Sequence, residues 1–199
     1  MKFINTKISK KQAEFILHNH SNIFSYPIYH LDLINPKNKL KRFWKRKYND
    51  TYVFIKRIFD IINIEDKTIY DFGCNIGTLS FLALEYNPKV VYGIDIDENI
   101  LSLANYIKNI NYAKKPIYFI KGDITSEKIV FKDNNLGLLV NLPFGPIETM
   151  VEDVTKFLSI NATEILITDE LYDDKLEHIF NKFYNIKKKF GYYNVYRHE

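Results

Sequence analysis

Thr68-Ile69-Tyr70-Asp71-Phe72-Gly73-Cys74-Asn75-Ile76-Gly77-Thr78-Leu79-Ser80-Phe81-Leu82-Ala83-Leu84 reads as a buried strand, a glycine turn and the start of a helix. Val90-Val91-Tyr92-Gly93-Ile94-Asp95-Ile96-Asp97 then supplies a second strand that ends in an acid. The spacing Asp71-x-Gly73-x-x-x-Gly77 at one strand tip, with Asp95 eighteen residues beyond Gly77, is the layout of a nucleoside-binding α/β domain. Gly73 and Gly77 let the backbone come close to a ligand. A carboxylate at the next strand tip can accept both ribose hydroxyls.

Strand and helix signals alternate outward from this unit. Ile69–Phe72, Val90–Ile94, Ile117–Ile120, Gly137–Val140 and Ile165–Ile167 are expected to be strands. Thr78–Tyr86, Glu98–Ile110, Ile147–Leu158 and Asp174–Phe183 are expected to be helices. The residues around Gly191 predict a final strand or hairpin with Tyr192 to Tyr196, and Lys187-Lys188-Lys189 before it reads as solvated loop and helix-end charge. Such alternation predicts a parallel sheet with helices on both faces. Upstream, Thr51–Ile62 and Ser9–His18 carry helical patterns, and Ser21–Pro36 reads as an ordered loop packed on the body. No repeat or low-complexity linker divides the chain. The expected organisation is an extension over residues 1–50, a helix plus a basic segment, and one α/β domain over residues 51–199.

The bulk properties agree. At 199 residues, 46% of them hydrophobic and 16% aromatic, the chain can form one packed domain with a modest extension and is not generally disordered. No apolar stretch approaches the roughly 20 residues of a membrane span, and the N-terminus carries no secretory pattern. Cys74 is the only cysteine, which excludes an internal disulfide and fits a reducing cytoplasm; a cytoplasmic location is expected. Cys74 lacks an identifiable activating partner for nucleophilic work. The histidines lack the cysteine or acidic company of a metal site, so no metal is expected.

The net charge of +4 is unevenly spread. Residues 1–67 hold 14 Lys/Arg against 6 Asp/Glu, a balance of +8, and residues 68–199 hold 14 against 18, a balance of −4. Lys37-Asn38-Lys39-Leu40-Lys41-Arg42-Phe43-Trp44-Lys45-Arg46-Lys47 concentrates this excess, with seven basic residues of eleven. Lys41, Arg42, Lys45 and Arg46 can attract phosphates through counterion release, and Trp44 can stack on unpaired bases. The same segment also reads as a solvated helix face anchored by Phe43 and Trp44. Both readings stay open.

From Lys56 onward the chain resembles the class I S-adenosylmethionine-dependent methyltransferases. Asp71-Phe72-Gly73-Cys74-Asn75-Ile76-Gly77 is similar to that family's first motif, with Asn75 where many members have a middle glycine. The resemblance implies a doubly wound, mostly parallel, seven-stranded Rossmann-like sheet, here with a short helical, basic N-terminal extension, and S-adenosylmethionine as cofactor. It implies that the backbone of Gly73, Cys74, Asn75 and Gly77 cradles the methionine part, that Asp71 engages its amino group, and that Asp95 holds the ribose. Gly122-Asp123-Ile124 resembles the adenine-contacting motif, with Asp123 accepting from the exocyclic amine. A dinucleotide reading is weaker, because the first loop lacks G-x-G-x-x-G.

Asn141-Leu142-Pro143-Phe144 resembles the Asn/Asp-Pro-Pro-Phe/Tyr motif of methyltransferases that modify planar amino groups. Leu142 departs from the Pro-Pro form and occurs in the rRNA adenine dimethyltransferases. The adjoining Gly145 looks more like the small, single-domain RNA N6-adenine enzymes. The resemblance implies that Asn141, which also borders the cofactor, and Pro143 hold the amine while Phe144 stacks on it. The expected partner is nucleic acid, RNA before DNA, with an activating protein subunit as a second candidate and no membrane. The alternatives are methylation of a small molecule or of a protein glutamine amide, and a non-catalytic subunit that binds cofactor or RNA.

Overall fold

The computed structural model describes residues 2–19, 56, 59–60, 62–123, 134–139, 158, 162–168, 180–182, 184–190 and 193–197. Its strands are β1 (Lys2–Phe3), β2 (Thr68–Phe72), β3 (Val90–Asp95), β4 (Ile117–Lys121), β5 (Asn135–Leu139), β6 (Glu164–Thr168), β7 (Ile186–Phe190) and β8 (Tyr193–Arg197). Its helices are α1 (Lys10–Asn19), α2 (Thr78–Ala83), which tightens into a 3-10 turn at Leu84–Tyr86, and α3 (Glu98–Asn111). Lys56, Phe59, Asp60 and Ile62 are also helical, as are Leu158, Phe180, Asn181 and Lys182. The rest of the helices expected at 51–62, 147–158 and 174–183 lies outside the described residues, as do Ser21–Pro36 and Lys37–Lys47.

The strands form one sheet in the order β1-β4-β3-β2-β5-β6-β8-β7. The pairs β2–β3, β3–β4, β2–β5 and β5–β6 are parallel, whereas β1–β4, β6–β8 and β7–β8 are antiparallel. The seven-stranded, mostly parallel sheet is therefore present, with β1 added as an eighth strand on its flank. Every residue of β2 and β5 is buried, as expected of parallel strands covered on both faces. Alternate side chains feed two cores. Ile69, Val91, Ile117 and Leu138 pack towards α2 and α3, joined by Ala13 and Leu17 of α1. Tyr70, Phe72, Ile94 and Ile165 face the other way, towards Phe180, Tyr184 and Tyr196.

Lys187-Lys188-Lys189 corrects the expectation of loop and helix-end charge. These lysines are strand residues of β7, paired with Tyr196, Val195 and Asn194 of β8. Among the described residues β7 has a single neighbour, β8, and lysine is common on strands at the edge of a sheet.

At the N-terminal end of the sheet, Glu164 is buried and accepts from Lys67 Nζ at 2.5 Å. Its other oxygen pairs with Arg197, its register partner on β8. At the opposite end the topology reverses: from β2 the chain winds to β3 and β4 on one side, then to β5 and β6 on the other. The C-terminal tips of β2 and β5 flank this switch point, the place where open α/β sheets bind ligands.

Candidate active site

The turn after β2 has an unusual backbone. Gly73, Asn75 and Gly77 have φ of 66°, 51° and 86°, the left-handed region that glycine enters freely and asparagine tolerates. Asn75 in the middle position thus keeps the conformation a glycine would give. The turn closes through Gly77 N–H donating to the Cys74 carbonyl at 2.8 Å, and Phe81 N–H donates to the Gly77 carbonyl at 2.8 Å as α2 starts. Asn75 Oδ1 accepts from Ile76 N–H at 2.9 Å.

Asp95 gathers three strand tips. Its Oδ2 accepts from Asn75 N–H at 2.9 Å and its Oδ1 from Asp97 N–H at 3.0 Å. Its carbonyl accepts from Gly122 N–H at 3.0 Å, while Cys74 N–H donates to Ile94 next to it at 3.0 Å. The Ile96 amide also acts on this carboxylate, whose roughly four lone-pair sites still leave capacity for a further donor. Burial pushes this carboxyl above its ordinary value, while the amides of Asp97 and Asn75 pull it down. Asp97 in turn caps α3, accepting from Asn99 N–H at 2.9 Å and Ile100 N–H at 3.3 Å, which fixes where the helix leaves the site.

Beneath the turn lies Asp71, 2% exposed. Ser80 Oγ donates to its Oδ2 at 2.6 Å. Burial raises this carboxyl to about 7, opposed by the Ser80 hydroxyl and amide and reinforced by Asp95. Because the folded value exceeds the unfolded one, the folded state holds an extra proton, and stability falls as pH rises from about 3.8 to about 7. Asp71→Asn cannot ionise. Its stability relative to the native chain should therefore grow across that window, by up to about 4 kcal/mol, and change no further above it. Urea unfolding of both proteins at about pH 5 and pH 8 checks this; a pH-independent difference would contradict it.

Cys74 is buried, and its thiol is pushed well above the ordinary range by burial and by the carboxylates of Asp71 and Asp95. It is an inert filler of the turn. Phe119 is a contributor that sequence reasoning missed. A Cβ on Gly77 would stand 2.8 Å from its ring, and one on Gly93 2.7 Å. The ring thus lies between the glycine turn and β3, and a glycine in the interior of a strand was the available signal of that approach. Ser80 was also missed, since a serine in an apolar run gives no hint of its partner.

The structure brings together Asp71, Gly73, Cys74, Asn75, Gly77 and Asp95. Asp123 follows Gly122, itself bonded to β3. Ile124, Asn141, Pro143 and Phe144, and the basic residues Lys41, Arg42, Trp44, Lys45 and Arg46, lie outside the described residues. The turn bends through left-handed backbone at Gly73, Asn75 and Gly77, with one carboxylate below it and another beside it. This pair of carboxylates fits S-adenosylmethionine, which carries an amino group at its methionine end and a ribose diol between the sulfonium and the adenine.

Sheet order and glycine turn together define the class I S-adenosylmethionine-dependent methyltransferase fold. The description of the ribosomal protein L11 methyltransferase (PrmA) family matches residues 50–195; the chain belongs to that family, whose cofactor is S-adenosylmethionine. A ribosomal protein L11 methyltransferase of Colwellia psychrerythraea is 50% identical over 52 residues, 25% of this chain and 18% of that protein. A tRNA U34 carboxymethyltransferase of Nautilia profundicola is 31% identical over 199 aligned residues, 84% of this chain and 63% of that protein. The chain thus spans less than two thirds of the length of either. Among solved structures, the magnesium protoporphyrin IX methyltransferase of Synechocystis with bound S-adenosylmethionine superposes with a TM-score of 0.62 at 14% identity, over 97% of this chain and 98% of that one. At that identity the likeness speaks for the fold alone. Among the described residues, no helix is long and apolar enough to cross a membrane.

Proposed function

We propose that the chain transfers a methyl group from S-adenosylmethionine to an exocyclic planar amine, N6 of adenine in RNA foremost, as an enzyme of the cytoplasm. The carrying observation is the switch point between β2 and β5. The glycine turn follows β2 directly, and Asn141-Leu142-Pro143-Phe144 begins two residues beyond Leu139, the last residue of β5. Donor and acceptor sites then share one crevice.

When bound, S-adenosylmethionine supplies an electrophilic methyl group on a sulfonium. The backbone from Gly73 to Gly77 holds its methionine part, Asp71 its amino group, Asp95 the ribose, and Asp123 with Ile124 the adenine. The lone pair of a planar amine is delocalised, which makes the nitrogen a poor nucleophile. The Asn141 side-chain oxygen and the carbonyl of Leu142 or Pro143 accept both amine hydrogens and favour a pyramidal nitrogen. Phe144 stacks on the flat ring and aims it along the methyl–sulfur axis. Positioning and fixed dipoles do this work in place of a strong base. The segment with Lys41, Arg42, Trp44, Lys45 and Arg46, within an extension over residues 1–50, grips the RNA backbone.

A second reading, methylation of a protein side chain, is favoured by the family match, whose name specifies a ribosomal protein. The test is transfer of labelled methyl groups by the full chain to bulk RNA and, separately, to ribosomal proteins, followed by mass spectrometry of the digested nucleosides. We expect N6-methyladenosine, at a rate that falls steeply as salt is raised. Label confined to protein would overturn the RNA assignment in favour of the second reading.

A further inference from the structure

We propose that Ser80 is a positioning residue of the cofactor site: its hydroxyl fixes the buried Asp71 carboxylate beneath the glycine turn, so that capture of a cationic amino group there is coupled to release of the Asp71 proton. The inference rests on the reading given above that Asp71 faces the amino group of the cofactor.

Ser80 is fully buried, between apolar neighbours of α2 that are themselves buried, Phe81, Leu82 and Ala83. A hydroxyl in such surroundings is costly unless it is bonded. It donates to Asp71 Oδ2 at 2.6 Å, a short, charge-assisted geometry, and the Ser80 amide addresses the same carboxylate. Asp71 therefore has its rotamer set from α2, before any ligand arrives.

Its electrostatic surroundings are one-sided. The titratable groups that act on it among the described residues are the Asp95 carboxylate at the tip of β3 and the Cys74 thiol in the turn, and neither supplies positive charge. Without a ligand, burial holds this carboxyl at about 7, so a large share of it keeps its proton near neutral pH. A bound ammonium reverses this balance: the Asp71 O–H bond breaks, its proton leaves to solvent, and the carboxylate accepts from the ammonium. The Ser80 hydroxyl favours the ionised form throughout and lowers the cost of that exchange.

The experiment titrates the full chain with S-adenosylhomocysteine, which keeps the amino group, and with methylthioadenosine, which lacks it. Calorimetry runs in two buffers of different ionisation enthalpy. For the native chain, binding of S-adenosylhomocysteine should release up to about one proton below about pH 7, with affinity falling about tenfold per pH unit there. Methylthioadenosine should show no such inflection; since it keeps the ribose, it also subtracts any titration of Asp95. Ser80→Ala should move the inflection up by about one pH unit, leaving binding about tenfold weaker near neutrality and nearly native in strong alkali. Ser80→Thr should restore the native profile. If Ser80→Ala fails to give a cooperative thermal melt, Ser80→Cys, a weaker donor of similar size, replaces it.

An unmoved inflection in the variant, or a loss of affinity equal at every pH, would overturn the role of Ser80 while leaving the seat of the amino group intact. A native profile that is the same for both ligands would remove the contact between Asp71 and the amino group, and this inference with it.

Discussion

Asn141→Ala should slow methyl transfer by about a hundred- to a thousandfold while leaving affinity for S-adenosylhomocysteine within about threefold of native. On the proposed mechanism the cofactor is held mainly by the glycine turn and by Asp71, Asp95 and Asp123. The asparagine oxygen meets an amine that becomes a strong hydrogen-bond donor only as its nitrogen takes on charge. An interaction of that kind strengthens in the transition state, and its loss falls on kcat by about a hundred- to a thousandfold. Single-turnover rates on RNA, set beside calorimetric binding of the demethylated cofactor, separate the two quantities. A variant with native kcat would end the assignment of Asn141. A variant that no longer binds cofactor would move the residue from acceptor to cofactor site.

Gly93→Ala should destabilise the fold by about 1–3 kcal/mol and weaken cofactor binding as well. The new methyl group would stand 2.7 Å from two ring atoms of Phe119 and 3.0 Å from Cys74 Sγ. Phe119 cannot swing clear, because it is buried, packs edge-on against Phe81 at 5.6 Å, and already borders Gly77. The displaced ring presses on the turn, so a change in the middle of β3 is felt where the methionine part binds. Phe119→Leu removes the obstructing atoms. Combined with Gly93→Ala it should cost less than the sum of the two single changes, a coupling of about 1 kcal/mol or more in a double-mutant cycle. Urea denaturation of the four proteins checks this, and strict additivity would show that the two residues do not contend for the same space.

The parts of this molecule legible in the sequence are those with strong local patterns. The apolar run at Ile69–Phe72 and the glycines after it mark β2 and its turn, because a buried parallel strand must be apolar on both faces. The apolar residues of α3, from Ile100 to Ile107, recur at helical spacing behind an aspartate cap. β1 was not legible: two residues are too few to display a period. The strand at Lys187–Lys189 was misread because three consecutive charges outweigh the apolar residues around them. The carboxylate seat was half legible. Asp71 and Asp95 follow from their places at strand tips, but the grip of Ser80 on one and the amides closing on the other are products of tertiary packing between segments far apart in the chain.

The two flanks of the sheet carry a consequence for how the protein keeps company. An open strand border is a template on which a neighbouring molecule can extend the ladder, the first step towards ordered aggregates. On one flank the last strand, Lys2–Phe3, is only two residues long and offers too short a purchase for a stable graft. On the other, any incoming strand would have to lie along the lysine triplet of β7. Among the described residues, each border discourages templated growth by a different means, one by brevity and the other by repulsion.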